Sequence, residues 1–446
     1  MIRKRTDRQP RSSRLRWLVP AVRALAGPPA RAVRGTARRV GDPWHQVLDY
    51  WSSQRATMRQ GFVANSFSAI AALVAGAVLE SMQGRIEAVD GLFILIPVSI
   101  GMRGNIFGAM SARLGTLIHS GLFEVSFDRR RPLYHNVYAA TLLTISTSVT
   151  MGLLARSIAA LLGQSTVSVL DLTVVALVGG ILSSALVLAF AVYLSAVSFR
   201  RDWDLDSVGA VLITTVGDVV TLPCLLAASY LAGIRLVTPV LGVLALVAGA
   251  VSVYAGWNAK PAMARQIVRE SFPVLCLAIV LDILAGTVAQ ERAASFFRYD
   301  AFLVLLPGFL ARAGALGSIL AARLGSKLHL GAVTPTARPE AAALLDGSIV
   351  FALGITVYLL TGLSTLLLAQ VVPGYTEPGA LTFIGVTLLG GILATLATSV
   401  IGYYAAILAY RFGFDPDNQT IPIVTSGMDL LGIICLVVAL VVFGVA

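Results

Sequence analysis

Eleven mostly apolar stretches follow one another along the chain, at 62–82, 92–118, 137–162, 172–198, 208–232, 236–257, 271–290, 301–327, 346–370, 381–410 and 420–444. A helix needs about 20 such residues to cross the hydrocarbon core of a bilayer. Inside that core a helix satisfies its own backbone polar groups. The pattern predicts an all-α polytopic membrane protein with eleven transmembrane helices. Composition agrees, since 57% of the 446 residues are hydrophobic and 13% are charged. Soluble domains run at about 45–50% apolar and about 25% charged, so an ordinary soluble enzyme and a disordered chain are both excluded.

The formal net charge of +11 belongs to a tail. Residues 1–60 carry 14 Lys and Arg against Asp7, Asp42 and Asp49, while the rest of the chain carries 20 basic and 20 acidic residues. No nucleic-acid partner is therefore expected. The longest apolar candidate in the tail, Leu18 to Leu25, is cut by Pro20 and Arg23, so no signal peptide is predicted. The tail reads as a polybasic arm on anionic lipid headgroups. Over 44–59, Trp44, Val47, Leu48 and Trp51 fall at i, i+3, i+4 and i+7, which fits either an interfacial helix or a plain juxtamembrane linker.

With the tail in the cytoplasm, the inner loops hold ten basic residues: Arg129 to Arg131, Arg200, Arg201, Lys260, Arg265, Arg269, Arg338 and Arg411. The outer loops hold four, Arg85, Arg235, Arg292 and Arg298. Excess Lys and Arg mark cytoplasmic loops. The bias predicts a cytoplasmic N-terminus and an outside C-terminus, as an odd number of spans requires.

The chain also repeats itself. Residues 97–121 align with 307–331 at an offset of 210, with eight identities that include Pro97/Pro307, Gly104/Gly314, Arg113/Arg323 and His119/His329. Residues 179–218 align with 390–429 at an offset of 211, with ten identities that include Arg200/Arg411, Thr214/Thr425 and Asp218/Asp429. Hydrophobic bias cannot produce matched Arg and Asp. Each copy holds five spans, so direct fusion would invert the second copy. The unmatched span at 236–257 carries the chain back, and both copies face the same way. The expected organisation is a basic tail at 1–60, a first repeat at 61–233, a linking helix at 234–258 and a second repeat at 259–446, with a pathway at the repeat interface.

Ionisable groups inside a bilayer survive where they meet a partner, a cavity or an ion. Asp218 and Asp429 lie at matched depth in the fifth and eleventh spans. Across a pseudo-two-fold axis they would face each other, and two carboxylates repel unless a cation lies between them. Hard oxygen donors without sulfur or imidazole suit Mg²⁺ or Ca²⁺. Thr214, Thr215, Thr425 and Ser426 precede them by one helical turn and are candidates to hold water of a hydrated ion. The other reading pairs each Asp with a membrane arginine, from Arg103, Arg113, Arg312 and Arg323. Arg113 and Arg323 are assigned a structural role, snorkelling or bonding helix-end carbonyls.

Gly104, Asn105 and Gly314 lie in Pro/Gly-rich spans beside the expected pore, with Ala315 in the place of Asn105 in the second copy. Asp282 and Glu80 align with Ala72 and Gln290 and are candidates for proton or sodium coupling. The acidic loops at 201–206 and 414–418 read either as helix caps or as an ion-collecting vestibule. Cys224, Cys276 and Cys435 stand singly in apolar runs, and the four histidines form no zinc pattern. With no nucleophile–base or open metal constellation, an enzyme is not expected, nor is a permanently bound cofactor.

The run from Pro97 to Thr116, P-x6-G-N followed by S-A-R-L-G-T, resembles the signature of MgtE-type magnesium transporters, and more closely that of their duplicated relatives in solute carrier family 41. So does FDPDNQTIPIVTSGMDLLG at 414–432. The resemblance covers about residues 60–446. It implies Mg²⁺ transport through a pore between two five-helix units, with Asp218 and Asp429 as the metal-contacting acids. It also implies a monomer, because the repeat replaces the family's homodimer, and a place in the plasma membrane. Residues 1–60 are too few for the cytosolic sensor domains of classical MgtE proteins. The alternative function is a proton- or sodium-coupled secondary transporter of another solute.

Overall fold

The computed structural model describes residues 43–201, 205–413 and 419–445. The arm at 1–42 and the core of both acidic loops, 202–204 and 414–418, lie outside the described residues, and so do the roles read for them. The chain divides into two compact units, Met1–Ser53 and Gln54–Ala446. The first contains α1 (Pro43–Ser53), which carries Trp44, Val47, Leu48 and Trp51. This helix is shorter than the expected 44–59. Ser52 and Ser53 donate their hydroxyls to the carbonyls of Asp49 and Tyr50, local bonds of the kind that compete with helix continuation.

The second unit is helical throughout, with no strand among the described residues. Its helices are α2 (Arg55–Ser81), α3 (Gln83–Ala88), α4 (Leu92–His119), α5 (Pro132–Leu161), α6 (Val169–Arg201), α7 (Leu205–Ser229), α8 (Val237–Trp257), α9 (Ala262–Glu291), α10 (Ala293–Phe297), α11 (Asp300–His329), α12 (Ala341–Val371), α13 (Ala380–Phe412) and α14 (Ile421–Val442). Ten of the described helices are long and apolar enough to cross a membrane, from α4 to α9 and from α11 to α14. The eleventh expected span, 62–82, falls in α2, a single helix whose apolar stretch among the described residues is Ser66–Ser81. Pro97, Pro223, Pro273 and Pro307 sit inside continuous helices, as bilayer helices tolerate where neighbouring groups take up the freed carbonyls.

Packing follows the sequence repeat in an exchanged pattern. Under the alignment α2 corresponds to α9, α4 to α11, α5 to α12, α6 to α13 and α7 to α14. Helix α2 packs on α11 and α12, and α9 packs on α4 and α5, so each copy's first helix lies against the other copy. The crossings repeat in detail. A Cβ on Gly76 would run into the carbonyl of Val304, and a Cβ on Gly286 into the carbonyl of Ile94, the two pairs being equivalent in the alignment. Only glycine lets two backbones approach so closely. Gly286→Ala is expected to cost about 1–3 kcal/mol, the range for overpacking a tight core, and a lowered melting temperature of the purified protein would show it.

The unmatched α8 docks through a stripe of small residues. Gly242, Ala245, Gly249, Ser252 and Gly256 are its buried positions, and Cβ atoms on the three glycines would press on Leu170, Val149 and Val268. The rest of α8 is largely uncovered, with Val240, Val247 and Val251 exposed. That is the face expected of a helix surrounded by lipid on most sides.

Candidate functional site

Helices α4, α7, α11 and α14 enclose a cavity of about 590 Å³. These are the second, fifth, eighth and eleventh of the expected spans, the four predicted to border a pore. Small residues hollow it out: Gly101, Gly104 and Gly108 on α4, with Gly314 and Ala315 on α11. Asp218 of α7 and Asp429 of α14 both lie on its wall, and on these two helices the lining stops at the aspartates. The remaining lining of α7 is Thr214, and that of α14 is Ile421 and Thr425, so both helices contribute only N-terminal halves.

The two glycines at the centre are matched by two threonines. The Thr214 methyl lies 3.6 Å from where Gly104 would carry a Cβ, and the Thr425 methyl 3.5 Å from the same point on Gly314. The i, i+4 spacing then brings each hydroxyl and its aspartate to one face. Thr215 and Ser426, one residue on, are turned off the cavity and buried. Ser426 accepts a 3.5 Å bond from the Asn105 amide, whereas the hydroxyl of Thr215 has no partner among the described residues. The difference has a cause in sequence, because Ala315 stands where Asn105 stands in the first copy. Asn105 also accepts the Thr425 hydroxyl at 3.0 Å, which ties α4 to α14 across the two copies.

The membrane arginines have separate occupations. Arg103 is buried and donates through Nη1 to the carbonyl of Gly180 and the hydroxyl of Ser184, each at 2.7 Å, which pins α4 to α6. Arg312 donates to the Ser68 hydroxyl at 3.0 Å, and its charge acts on Asp218. Neither Asp218 nor Asp429 joins an ion pair among the described residues. Arg113 and Arg323 meet equivalent partners in the two copies. Arg113 donates to Asn136 at 2.9 Å and Arg323 to Asp346 at 2.7 Å, with Asn136 and Asp346 equivalent in the repeat. Lys327 adds a second cation to the fully buried Asp346, at 2.5 Å.

Of the two remaining acids, Glu80 is not among the residues that line the cavity. Its carboxylate accepts the Tyr375 hydroxyl at 2.9 Å in the loop after α12. Burial and the Glu80 carboxylate push that hydroxyl up to about 12, so Tyr375 stays a donor at any physiological pH. Asp282 is fully buried on α9, where its carboxylate meets the Ser426 hydroxyl and the Asp429 carboxylate. Among the described residues no three His, Cys, Asp or Glu gather into a metal cluster. The cavity therefore offers single carboxylates and hydroxyls, a donor set that suits an ion retaining its own water.

Sequence reasoning named Arg312 as one of four arginines that could meet the aspartates, and did not find Gly101 or the Asn136 and Asp346 partners. The repeat alignment held the signal for the last two, since both arginines and both partners recur at one offset.

Comparison with known proteins points the same way. The profile of the MgtE family, described as a divalent cation transporter, matches residues 96–228 and again residues 306–439. Solute carrier family 41 member 3 of Rattus norvegicus is 23% identical over 431 residues, covering 90% of this chain and 90% of that protein. Solute carrier family 41 member 2 of Xenopus laevis is 23% identical over 377 residues, covering 76% of this chain and 63% of that protein. Among solved structures, the eukaryotic MATE transporter AtDTX14 is 16% identical, covering 86% of this chain and 96% of that one, at a TM-score of 0.24, too low to carry an argument. With the family's profile matched twice over most of the helical unit, the chain belongs to the MgtE family of divalent cation transporters and is a membrane transporter, not an enzyme.

Proposed function

We propose that this protein moves Mg²⁺ across the plasma membrane through the cavity between α4, α7, α11 and α14, with Asp218 and Asp429 as its metal-contacting pair. The carrying observation is that both aspartates, matched in the repeat, lie on the wall of one cavity together with their threonines. Mg²⁺ dehydrates reluctantly and is bound through one or two carboxylates, its other positions filled by water. The cavity has room for that hydrated ion, and Thr214 and Thr425 supply hydroxyls to its waters.

In this reading α2 is the eleventh span, and residues 61–233 and 259–446 are two same-facing repeats joined by α8. The exchanged packing of α2 and α9 supports the arrangement. The N-terminus is cytoplasmic and the C-terminus outside, so the cavity, lined by the N-terminal halves of α7 and α14, faces the cytoplasm. The basic tail rests on anionic lipid, and the chain works as a monomer.

The test is Mg²⁺ uptake into proteoliposomes holding a fluorescent Mg²⁺ indicator. The protein is expected to carry flux, and Gly104→Phe to reduce it roughly tenfold or more while melting like the wild type, because the new ring enters the space beside Thr214. Absence of flux with the wild-type protein, or full flux with the variant, would sink this placement.

A further inference from the structure

The two copies are not equivalent around the cavity, and the differences are chemical. On one side, α9 packs against α4 and α14, and there Asp282, Asn105, Thr425, Ser426 and Asp429 come together. The Oδ2 atoms of Asp282 and Asp429 lie 2.7 and 3.5 Å from the point where Gly101 would carry a Cβ. The two carboxylates thus bracket one glycine, with the missing side chain as the gap between them. On the other side, α2 packs against α11 and α7, and the equivalent residues are Ala72 for Asp282 and Ala315 for Asn105. That side instead carries Arg312, where the first copy has Met102. One half has gained an acid and an amide, and the other a base.

Asp282 is the unexplained group. A fully buried carboxylate with only the Ser426 hydroxyl to support it is costly, and more so beside a second carboxylate. Asp218 has the charge of Arg312 to offset its own, while Asp429 faces a carboxylate on either side, Asp218 and Asp282.

We infer that the divalent cation dwells off the pseudo-two-fold axis, on the Asp282–Asp429 side at Gly101, with Asn105 and Thr425 completing an oxygen-donor site. This rests on the pore reading given above and narrows it: Asp429 and Asp282 hold the resting ion, and Asp218 contacts it in passage. Asp429 supplies the carboxylate on the cavity wall. Asp282 supplies the second negative charge from behind Gly101, where no side chain screens it. Thr425 and Asn105 present a hydroxyl and an amide oxygen already oriented by their mutual bond.

The experiment is Mn²⁺ binding to the purified full chain, followed by electron paramagnetic resonance and competed with Mg²⁺. Asp282→Asn and Asn105→Ala should each weaken binding about 10–100-fold, the range for losing a group that supports a metal site. Gly101→Ala should weaken it as well, by placing a methyl between the two carboxylates. Asp218→Asn should weaken it much less than Asp282→Asn. Thermal melting checks each variant, and if Asp282→Asn does not fold, Gly101→Ala and Asn105→Ala carry the test. Wild-type affinity in the folded members of these three variants, with affinity lost in Asp429→Asn, would overturn the off-axis site and leave the pore reading standing. Equal losses in Asp218→Asn and Asp282→Asn would also overturn it. Unchanged binding in Asp429→Asn would instead strike at the paired-aspartate reading itself.

Discussion

The double variant Asp218→Asn/Asp429→Asn is expected to reach the membrane folded and to carry Mg²⁺ at a rate lower by roughly a hundredfold or more. Asparagine keeps the volume and oxygen geometry of each side chain, so the walls of the cavity stay in place. What disappears is negative charge in a low-dielectric passage, where it counts for far more than in water. A hydrated divalent ion entering such a passage surrenders solvation that neutral amides cannot replace. Initial rates of indicator-monitored uptake in proteoliposomes measure the loss, and a monovalent-ion flux assay on the same vesicles shows whether the walls remain open. Undiminished Mg²⁺ uptake in the double variant would mean that both acids serve the fold alone.

Arg323→Ala/Lys327→Ala should destabilise the protein by about 3–5 kcal/mol, the cost of stripping a buried charge of its partners. Asp346 is fully buried and meets Arg323 at 2.7 Å and Lys327 at 2.5 Å on the adjoining helix. Asp346→Asn should be far milder, because the first copy already pairs Arg113 with Asn136 at the same place. Chemical denaturation in detergent, read by tryptophan fluorescence, compares the two. A double alanine variant as stable as Asp346→Asn would show that the cluster contributes little to the fold.

The parts of the site that repeat were legible before any coordinates. Gly104, Gly314, Thr214 and Thr425 were each read beside the pore, though not the contacts between them, and Asp218 and Asp429 reach one cavity because matched depth in matched helices leaves few other outcomes. What does not repeat was much harder to read. Asp282 aligns with an alanine, so nothing in the alignment marks its neighbour as Asp429. That neighbour depends on α9 crossing α4 at Gly286, a detail of interhelix contact that hydropathy does not encode. Arg312 was grouped with three other arginines, yet only the course of α2 and α11 decides that it bonds Ser68 and acts on Asp218. Asn136 drew no notice because an amide near a helix start has many ordinary uses.

The exchange of α2 and α9 also constrains how the chain is assembled during synthesis. Helix α4 enters the bilayer early, with Ile94 shaped to receive a glycine that has not yet been translated. Its partner Gly286 arrives only after α5, α6, α7 and α8 have been inserted. Until then the groove beside Ile94 is open to lipid, and the first half of the molecule waits in a loosened state. In the same interval α2 can pack on α7 alone of its main partners, since α11 and α12 follow later still. The molecule therefore closes in one late step, when each half receives its missing helix from the other.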